Sequence, residues 1–249
     1  MINYDIAEMA STTNFKARKG NAEKNIFSKY CSEEWQLYLG AKQRSAEFKT
    51  GEYIFREGEV VKEIYLIEKG KIKVVSGYGE NTEHILRLAG EGKLMGHRGL
   101  GAKTYSVSGI ALEPTTVTVI PIDVFNRLIK ANPEFSLYLI HFITSELNDS
   151  ESRMKKLIHL DVRQKIADII IMLIDAFGYK RDDPGKLTYT LSRYDFANIS
   201  GTTYETVIRS LTFLQKEGYI GLEGKTIRVV NEKGLREFSR PTAVIEKGL

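Results

Sequence analysis

One cysteine, one tryptophan and five prolines in 249 residues exclude several architectures at once. The lone Cys31 cannot close an internal disulfide, and on ligand count it rules out a four-cysteine iron–sulfur or structural zinc site within one chain. The longest purely apolar run, Ile169 to Ile174, has six residues against the ~18 that a membrane span needs, so no transmembrane segment is expected. The first twenty residues, MINYDIAEMASTTNFKARKG, lack the apolar core of a secretory signal, and a reducing cytoplasm is the expected compartment. The four histidines, His84, His97, His141 and His159, match no metal-ligand spacing, and the H-x-H cluster of a cupin-type metal enzyme is missing. No nucleophile, base and orienter triplet can be assembled either, so neither an enzyme, nor a metal, nor an identifiable cofactor is expected.

What is present describes a folded chain, 42% hydrophobic and 27% charged. Thirty-six Lys and Arg against thirty-two Asp and Glu give +4, a mild bias toward a polyanionic partner that a symmetric dimer would double. Residues 1 to 45 are mixed and polar, with Lys16, Arg18, Lys19, Lys24 and Lys29 crowded together as a solvated arm. From 46 to 132 short β-branched and aromatic runs are cut by glycines, which predicts a β-sandwich or barrel with strands at Tyr53–Arg56, Ile64–Ile67, Lys71–Val75, His84–Leu88, Tyr105–Leu112 and Thr116–Ile120. Lys71-Ile72-Lys73-Val74 and Thr116-Val117-Thr118-Val119 alternate with period two, so one face is expected buried and the other wet.

After Pro133 the period changes. Ile140, Ile143, Leu147, Ser150, Met154 and Leu157 recur at steps of 3, 4, 3, 4 and 3, the seam of a coiled coil on a helix over 133–160. Such a helix, roughly 35 to 40 Å long, outreaches a small roll, and its seam calls for the partner helix of a parallel homodimer. His159-Leu160-Asp161 then breaks the pattern, and Asp161 is an N-cap for an apolar helix from Val162 to about Phe177. This break is the expected hinge to a last domain over 161–249.

Leu191 to Ile220 reads LSRYDFANISGTTYETVIRSLTFLQKEGYI. Ser192 caps a short helix, Gly201 supplies the positive φ of a tight turn, and Thr202 or Thr203 caps a second helix with Val207, Leu211 and Leu214 on one face. That is a helix-turn-helix whose second member turns Tyr204, Glu205, Ile208 and Arg209 outward, the positions that reach base edges in a major groove. Thr202-Thr203-Tyr204-Glu205 also reads as a capping box, a role for Glu205 that needs no DNA. Tyr219 to Val230 follows as two short strands about a glycine turn, a wing.

In this order of β-roll, long helix, hinge and winged helix-turn-helix the chain resembles the CRP/FNR family (catabolite activator and fumarate–nitrate regulator) of bacterial transcription factors. The most specific stretch, Gly201-Thr202-Thr203-Tyr204-Glu205-Thr206-Val207-Ile208-Arg209, is similar to the family's G-x-S/T-x-E-T-V-x-R recognition helix. Glu63 to Ile72 in the roll and Gly224-Lys225-Thr226-Ile227 in the wing add to it. The resemblance implies an α+β fold with a cyclic-nucleotide-binding-like roll, and a homodimeric activator of transcription that contacts double-stranded DNA and RNA polymerase.

It further implies that Glu205 accepts from a cytosine amino group and Arg209 donates to a guanine, and that Arg193, Thr203 and Lys225 meet phosphates. Members with a third base reader place Arg where this chain has Tyr204, or Ser where it has Ile208, so only a GA core of each half-site carries over. The family's nucleotide pocket uses G-E-x-A/G-L followed by an Arg. This chain has Gly96-His97-Arg98-Gly99-Leu100, with Tyr105 in the place of that Arg. Ser150 on the long helix would suit a nucleotide, whereas Glu151 would repel its phosphate. Cyclic AMP is therefore not expected to bind as in the nucleotide-binding members. Lys93, His97, Arg98 and Lys103 still gather cations about the loop for some other small anion. The competing reading is a small-molecule or nucleotide binding module whose winged domain serves protein contact.

Overall fold

The computed structural model describes residues 26–77 and 83–241; most of the basic N-terminal stretch, from Lys16 to Lys24, and the tail from 242 lie outside the described residues. Helices α1 (Ile26–Tyr30) and α2 (Glu33–Lys42) lead into eight strands, β1 (Arg44–Phe48), β2 (Tyr53–Phe55), β3 (Glu63–Lys69), β4 (Ile72–Gly77), β5 (Glu83–Ala89), β6 (Leu94–Met95), β7 (Ser108–Ala111) and β8 (Thr115–Pro121). They form two antiparallel sheets, β1-β8-β3-β6 and β2-β7-β4-β5, closed face to face over Phe55, Tyr65, Ile72, Val74, Val117 and Val119.

Two strands carry no local signal. β6 is two residues long, and β1, which begins at Arg44 inside the stretch expected to be the arm, is mostly exposed and shows no apolar alternation. The strand expected over Tyr105–Leu112 starts at Ser108 rather than Tyr105, because the residues before it turn away to pair with the loop after β2, Tyr105 N–H donating to the Glu59 carbonyl.

The chain continues with helices α3 (Ile122–Ala131), α4 (Pro133–His159), α5 (Val162–Phe177), α6 (Arg193–Ser200) and α7 (Tyr204–Lys216), strands β9 (Ile220–Glu223) and β10 (Thr226–Val229), and helix α8 (Glu232–Phe238). These elements correct the expectation of a wet outer face on the roll. On one side Ile64, Leu66 and Ile120 pack under α1 to α4 with Phe125, Leu128 and Phe135. Thr118, expected exposed, is buried and bonds Glu68.

On the other side Val75, Ile85, Leu88, Ile110 and Leu112 share one continuous apolar cluster with α5, α6 and α7. Lys73 lies 3.2 Å from Asp195 of α6, and Lys71 lies 2.7 Å from Glu113, each lysine paired rather than solvated. Asn198 of α6 accepts from the Ile85 N–H at 3.0 Å and donates to the Glu83 carbonyl, so its amide acts as a strand edge against β5. Period two places residues on two faces; only the layers above decide whether a face is wet.

The 27-residue α4 is about 40 Å long. Phe135 and Leu139 anchor its start in the core, but Ile140, Ile143, Leu147, Met154 and Leu157 are each 42 to 60% exposed. Its seam is thus left uncovered by the described residues. Asp161 then starts α5 with a reciprocal cap: its carboxylate accepts from the Gln164 N–H at 2.9 Å and the Gln164 amide oxygen accepts from the Asp161 N–H at 3.0 Å.

Candidate nucleic-acid interface and sensor loop

The helix-turn-helix is assembled by local rules. The Ser192 hydroxyl accepts from the Asp195 N–H at 3.1 Å and opens α6. At its end Gly201 sits at φ 64°, ψ 39°, the left-handed conformation that a side chain disfavours. Thr203 then caps α7 by accepting from the Thr206 N–H at 3.3 Å. With Thr203 as the cap, Glu205 is the second residue of the helix and not the third, so the capping box expected from Thr202 to Glu205 is not formed. The Glu205 carboxylate is left exposed on the helix surface.

Phe196, Val207, Leu211 and Leu214 are buried where the two helices meet, which turns the opposite face of α7 outward. Tyr204, Glu205, Ile208 and Arg209 are all exposed on it, with Glu205 and Arg209 one turn apart. Arg209 is held lightly, its Nη2 donating to the Thr206 hydroxyl at 3.3 Å. Arg193 is half-buried at the start of α6, its guanidinium 6.0 Å from the Phe196 ring centre, and burial lowers its affinity for a proton. Thr203 is exposed at the start of α7, and Lys225 is exposed at the tip of the β9–β10 wing. The wing is braced along one side, where Arg228 meets Asp183 at 2.8 Å and Glu223 at 2.9 Å, and Lys186 meets Glu223 at 2.8 Å. Hydrogen bonds from Lys186 and Arg228 pull the Glu223 carboxyl down to about 2.

The loop expected to be the sensor is closed on itself. Gly96, His97, Arg98 and Tyr105 line a cavity of about 10 Å³ together with Arg87 and Ser106. That volume is about one water. Gly99 and Leu100 are not among its lining residues, nor is Ser150, which is exposed on α4 with Glu151; Lys93 and Lys103 are exposed away from it. Gly99 is required by space: a Cβ there would lie 2.6 Å from a Val61 methyl.

Tyr105 fills the room. Its ring centre is 4.8 Å from that of Phe55, and its hydroxyl donates to the Glu63 carbonyl at 2.6 Å while accepting from the Glu63 N–H at 3.2 Å. His97 is buried edge-on to Phe142 of α4 at 4.8 Å, with its Nδ1 unpartnered, and burial, reinforced by Arg87 and Arg98, pushes its pKa from 6.5 down to about 4.

One pair here escaped the sequence reading. Arg87 on β5 is 7% exposed and sits 2.8 Å from Glu146 of α4, an ion pair at an angle outside hydrogen bonding, which ties the roll to the long helix. The only sign of it in the sequence is a charged residue at an inward position of an apolar strand.

Among the described residues, no helix is long and apolar enough to cross a membrane, and no three His, Cys, Asp or Glu side chains gather as a metal site. A β-roll joined through a long helix to a winged helix-turn-helix with an open recognition face defines a DNA-binding transcription regulator. The description "Cyclic nucleotide-binding domain" matches residues 45–132, and "Crp-like helix-turn-helix domain" matches 164–238. The chain belongs to the CRP/FNR family of transcription regulators.

It is 28% identical over 189 residues to the transcriptional activator protein Anr of Pseudomonas aeruginosa, covering 76% of this chain and 78% of that protein. It is 25% identical over 200 residues to the fumarate and nitrate reduction regulatory protein of Escherichia coli, covering 80% of each. Its fold is similar to that of FixK2 from Bradyrhizobium japonicum, with a TM-score of 0.72 at 19% identity over 81% of this chain and 99% of that one. A CooA mutant from Carboxydothermus hydrogenoformans gives 0.69 at 22% identity over 88% and 97%. At those identities the two structures speak for the fold alone.

Proposed function

We propose that this regulator acts as a cytoplasmic homodimer on palindromic DNA with GA-containing half-sites, and that it activates transcription through contact with RNA polymerase. The observation that carries the reading is the exposed pairing of Glu205 and Arg209 one turn apart on α7. A carboxylate only accepts, which suits a cytosine amino group, and a guanidinium fork suits guanine O6 and N7. Release of Glu205 from the capping box leaves it free for that contact. Arg193, Thr203 and Lys225 flank the face as phosphate contacts, and Tyr204 lies at its N-terminal edge as a further base contact. The dimer is supported by the uncovered seam at Ile140, Ile143, Leu147, Met154 and Leu157, since exposed apolar rows at coiled-coil spacing mark a helix partner. Activation is the role carried in the name of the Pseudomonas aeruginosa relative.

Cyclic AMP is not the effector in this reading. A cavity of about 10 Å³ compares with the ~300 Å³ at the lower end of small-molecule pockets, and Tyr105 occupies the room where the phosphate-binding Arg would stand. Any effector at this loop would be smaller or would have to displace Tyr105.

The test is binding-site selection from random duplex DNA with the purified protein and no added effector. The expected result is a palindrome whose GA-containing half-sites lie about one helical turn, roughly 34 Å, apart. Absence of any enriched sequence, both alone and with cell extract added, would overturn the reading.

A further inference from the structure

The seam of α4 fixes a heptad frame. Ile140, Leu147 and Met154 take its a positions and Ile143, Ser150 and Leu157 its d positions, which makes Glu146 a g residue and Glu151 the e residue of the following heptad. In a parallel two-stranded coil each g residue lies beside the e residue of the next heptad on the other helix. The dimer proposed above therefore brings Glu151 of the partner subunit next to Glu146. Two carboxylates side by side repel unless a cation lies between them.

The cations stand on the roll side of that contact. Arg87 meets Glu146 at 2.8 Å, and Arg98, Arg153 and Asp149 are close enough for their charges to act on Arg87, so three guanidinium groups share two carboxylates. Arg98 is half-buried on the short turn His97–Gly99, which His97 seats against Phe142 of α4, and among the described residues it has no ion pair. Glu151 is exposed, and among the described residues it too has no ion pair. We infer that in the dimer Glu151 of the partner subunit pairs with Arg98, beside the Arg87–Glu146 pair, so that each roll is tied to the other protomer's helix as well as to its own. The glycine-rich loop, too closed to hold a nucleotide, then serves as a contact between protomers. Glu151 of the partner subunit supplies the negative charge that the loop would otherwise take from an anion. The pair also favours the parallel arrangement, in which g lies beside e. This inference rests on the proposed homodimer.

The test is a charge exchange in the full chain, read as the monomer–dimer constant from sedimentation equilibrium at low salt. Glu151→Lys and Arg98→Glu each place like charges in contact at both symmetric sites, and each is expected to weaken the dimer about ten-fold. The double variant Arg98→Glu/Glu151→Lys restores the pair with its charges exchanged and is expected to recover most of that loss. In Glu151→Gln, which keeps an exposed polar side chain of the same shape, the dimer constant is expected to depend less on salt than in the parent. Glu151→Lys separates this pairing from its simplest rival, because a lysine facing Glu146 alone would strengthen the dimer. A stronger or unchanged dimer in Glu151→Lys, or a double variant as weak as both single effects combined, would overturn the inference and leave the homodimer standing. A parent chain that stays monomeric at every concentration would overturn both.

Discussion

The sensor loop and the recognition helix are the two places where a regulator of this class meets something other than itself, and in this chain they are built in opposite ways. Around Gly96 to Gly99 the side chains pack against one another: Tyr105 fills the room and bonds Glu63, His97 packs on Phe142, and Arg87 closes on Glu146. Along α7 the outward side chains have few partners, Glu205 standing exposed and Arg209 touching only Thr206 weakly. The residues at the loop therefore belong to the core, while those on the helix are available. A substitution at the loop should register in folding, and one on the helix should register in binding.

The sharpest way to break that contrast is Tyr105→Ala. Truncating a buried aromatic that also makes two hydrogen bonds should destabilise the chain by about 3 to 5 kcal/mol, read as a large drop in thermal midpoint. Tyr105→Phe, which loses only the hydroxyl, should cost about 1 kcal/mol. Tyr204→Ala, the exposed aromatic at the other region, should stay within about 0.5 kcal/mol. Equal midpoints for Tyr105→Ala and the parent would show that the loop is not part of the core.

Acid provides the second test. Burial first, then Arg87 and Arg98, holds the His97 pKa at about 4, against 6.5 when unfolded. Between those values the unfolded chain binds the extra proton and the native state does not, so stability rises with pH across this window. It is fully present above pH 6.5 and is lost as pH falls toward 4, by about 3 kcal/mol for the whole shift. Urea midpoints measured at steps between pH 7 and 4 should follow this slope, and His97→Gln should flatten it. An unchanged slope in His97→Gln would assign the acid sensitivity to other groups.

On the helix side, Arg209→Ala should leave the thermal midpoint alone and weaken DNA binding by about 1 to 3 kcal/mol per half-site, with relaxed preference for the guanine. A variant that bound more weakly but kept full preference for that guanine would remove Arg209 from base reading.

The contrast also explains which parts of the molecule were legible in the sequence. Whatever depends on a few consecutive residues was readable: the Asp161 cap and the helix it opens to Phe177, the Ser192 cap, the left-handed Gly201 and the outward set on α7. The choice between Thr202 and Thr203 as cap was not, because one residue of register decides it and both side chains can cap. What depends on distant residues meeting was invisible. Arg87 and Glu146 lie on a strand and a helix whose approach no periodicity announces. Lys73 alternates as a surface residue would, and only the docking of α6 by Asn198 and Asp195 removes it from water. The sequence shows Tyr105 as a substitution in a pocket motif, but that its ring closes the pocket follows only from Phe55 and Glu63 being there to receive it.

The smallest expected effect tests the helix region at its edge. Arg193 is half-buried against Phe196, so part of its side chain serves packing, yet its charge lies at the start of α6, close to Tyr204. If that charge meets a phosphate, its removal releases one fewer counterion on binding. The slope of log affinity against log salt should then flatten by about one unit for each phosphate left without its arginine, with all sequences weakened alike. Arg193→Gln keeps much of the stem over the ring while removing the charge, and Arg193→Lys keeps the charge with a different head group. The expected pattern is a reduced slope in Arg193→Gln and a retained slope in Arg193→Lys, with the preference for the GA core unchanged in both. A reduced slope in both would show that the fork geometry is needed as well as the charge. A parent-like slope in Arg193→Gln would confine Arg193 to packing on Phe196 and move the edge of the DNA face inward to Thr203.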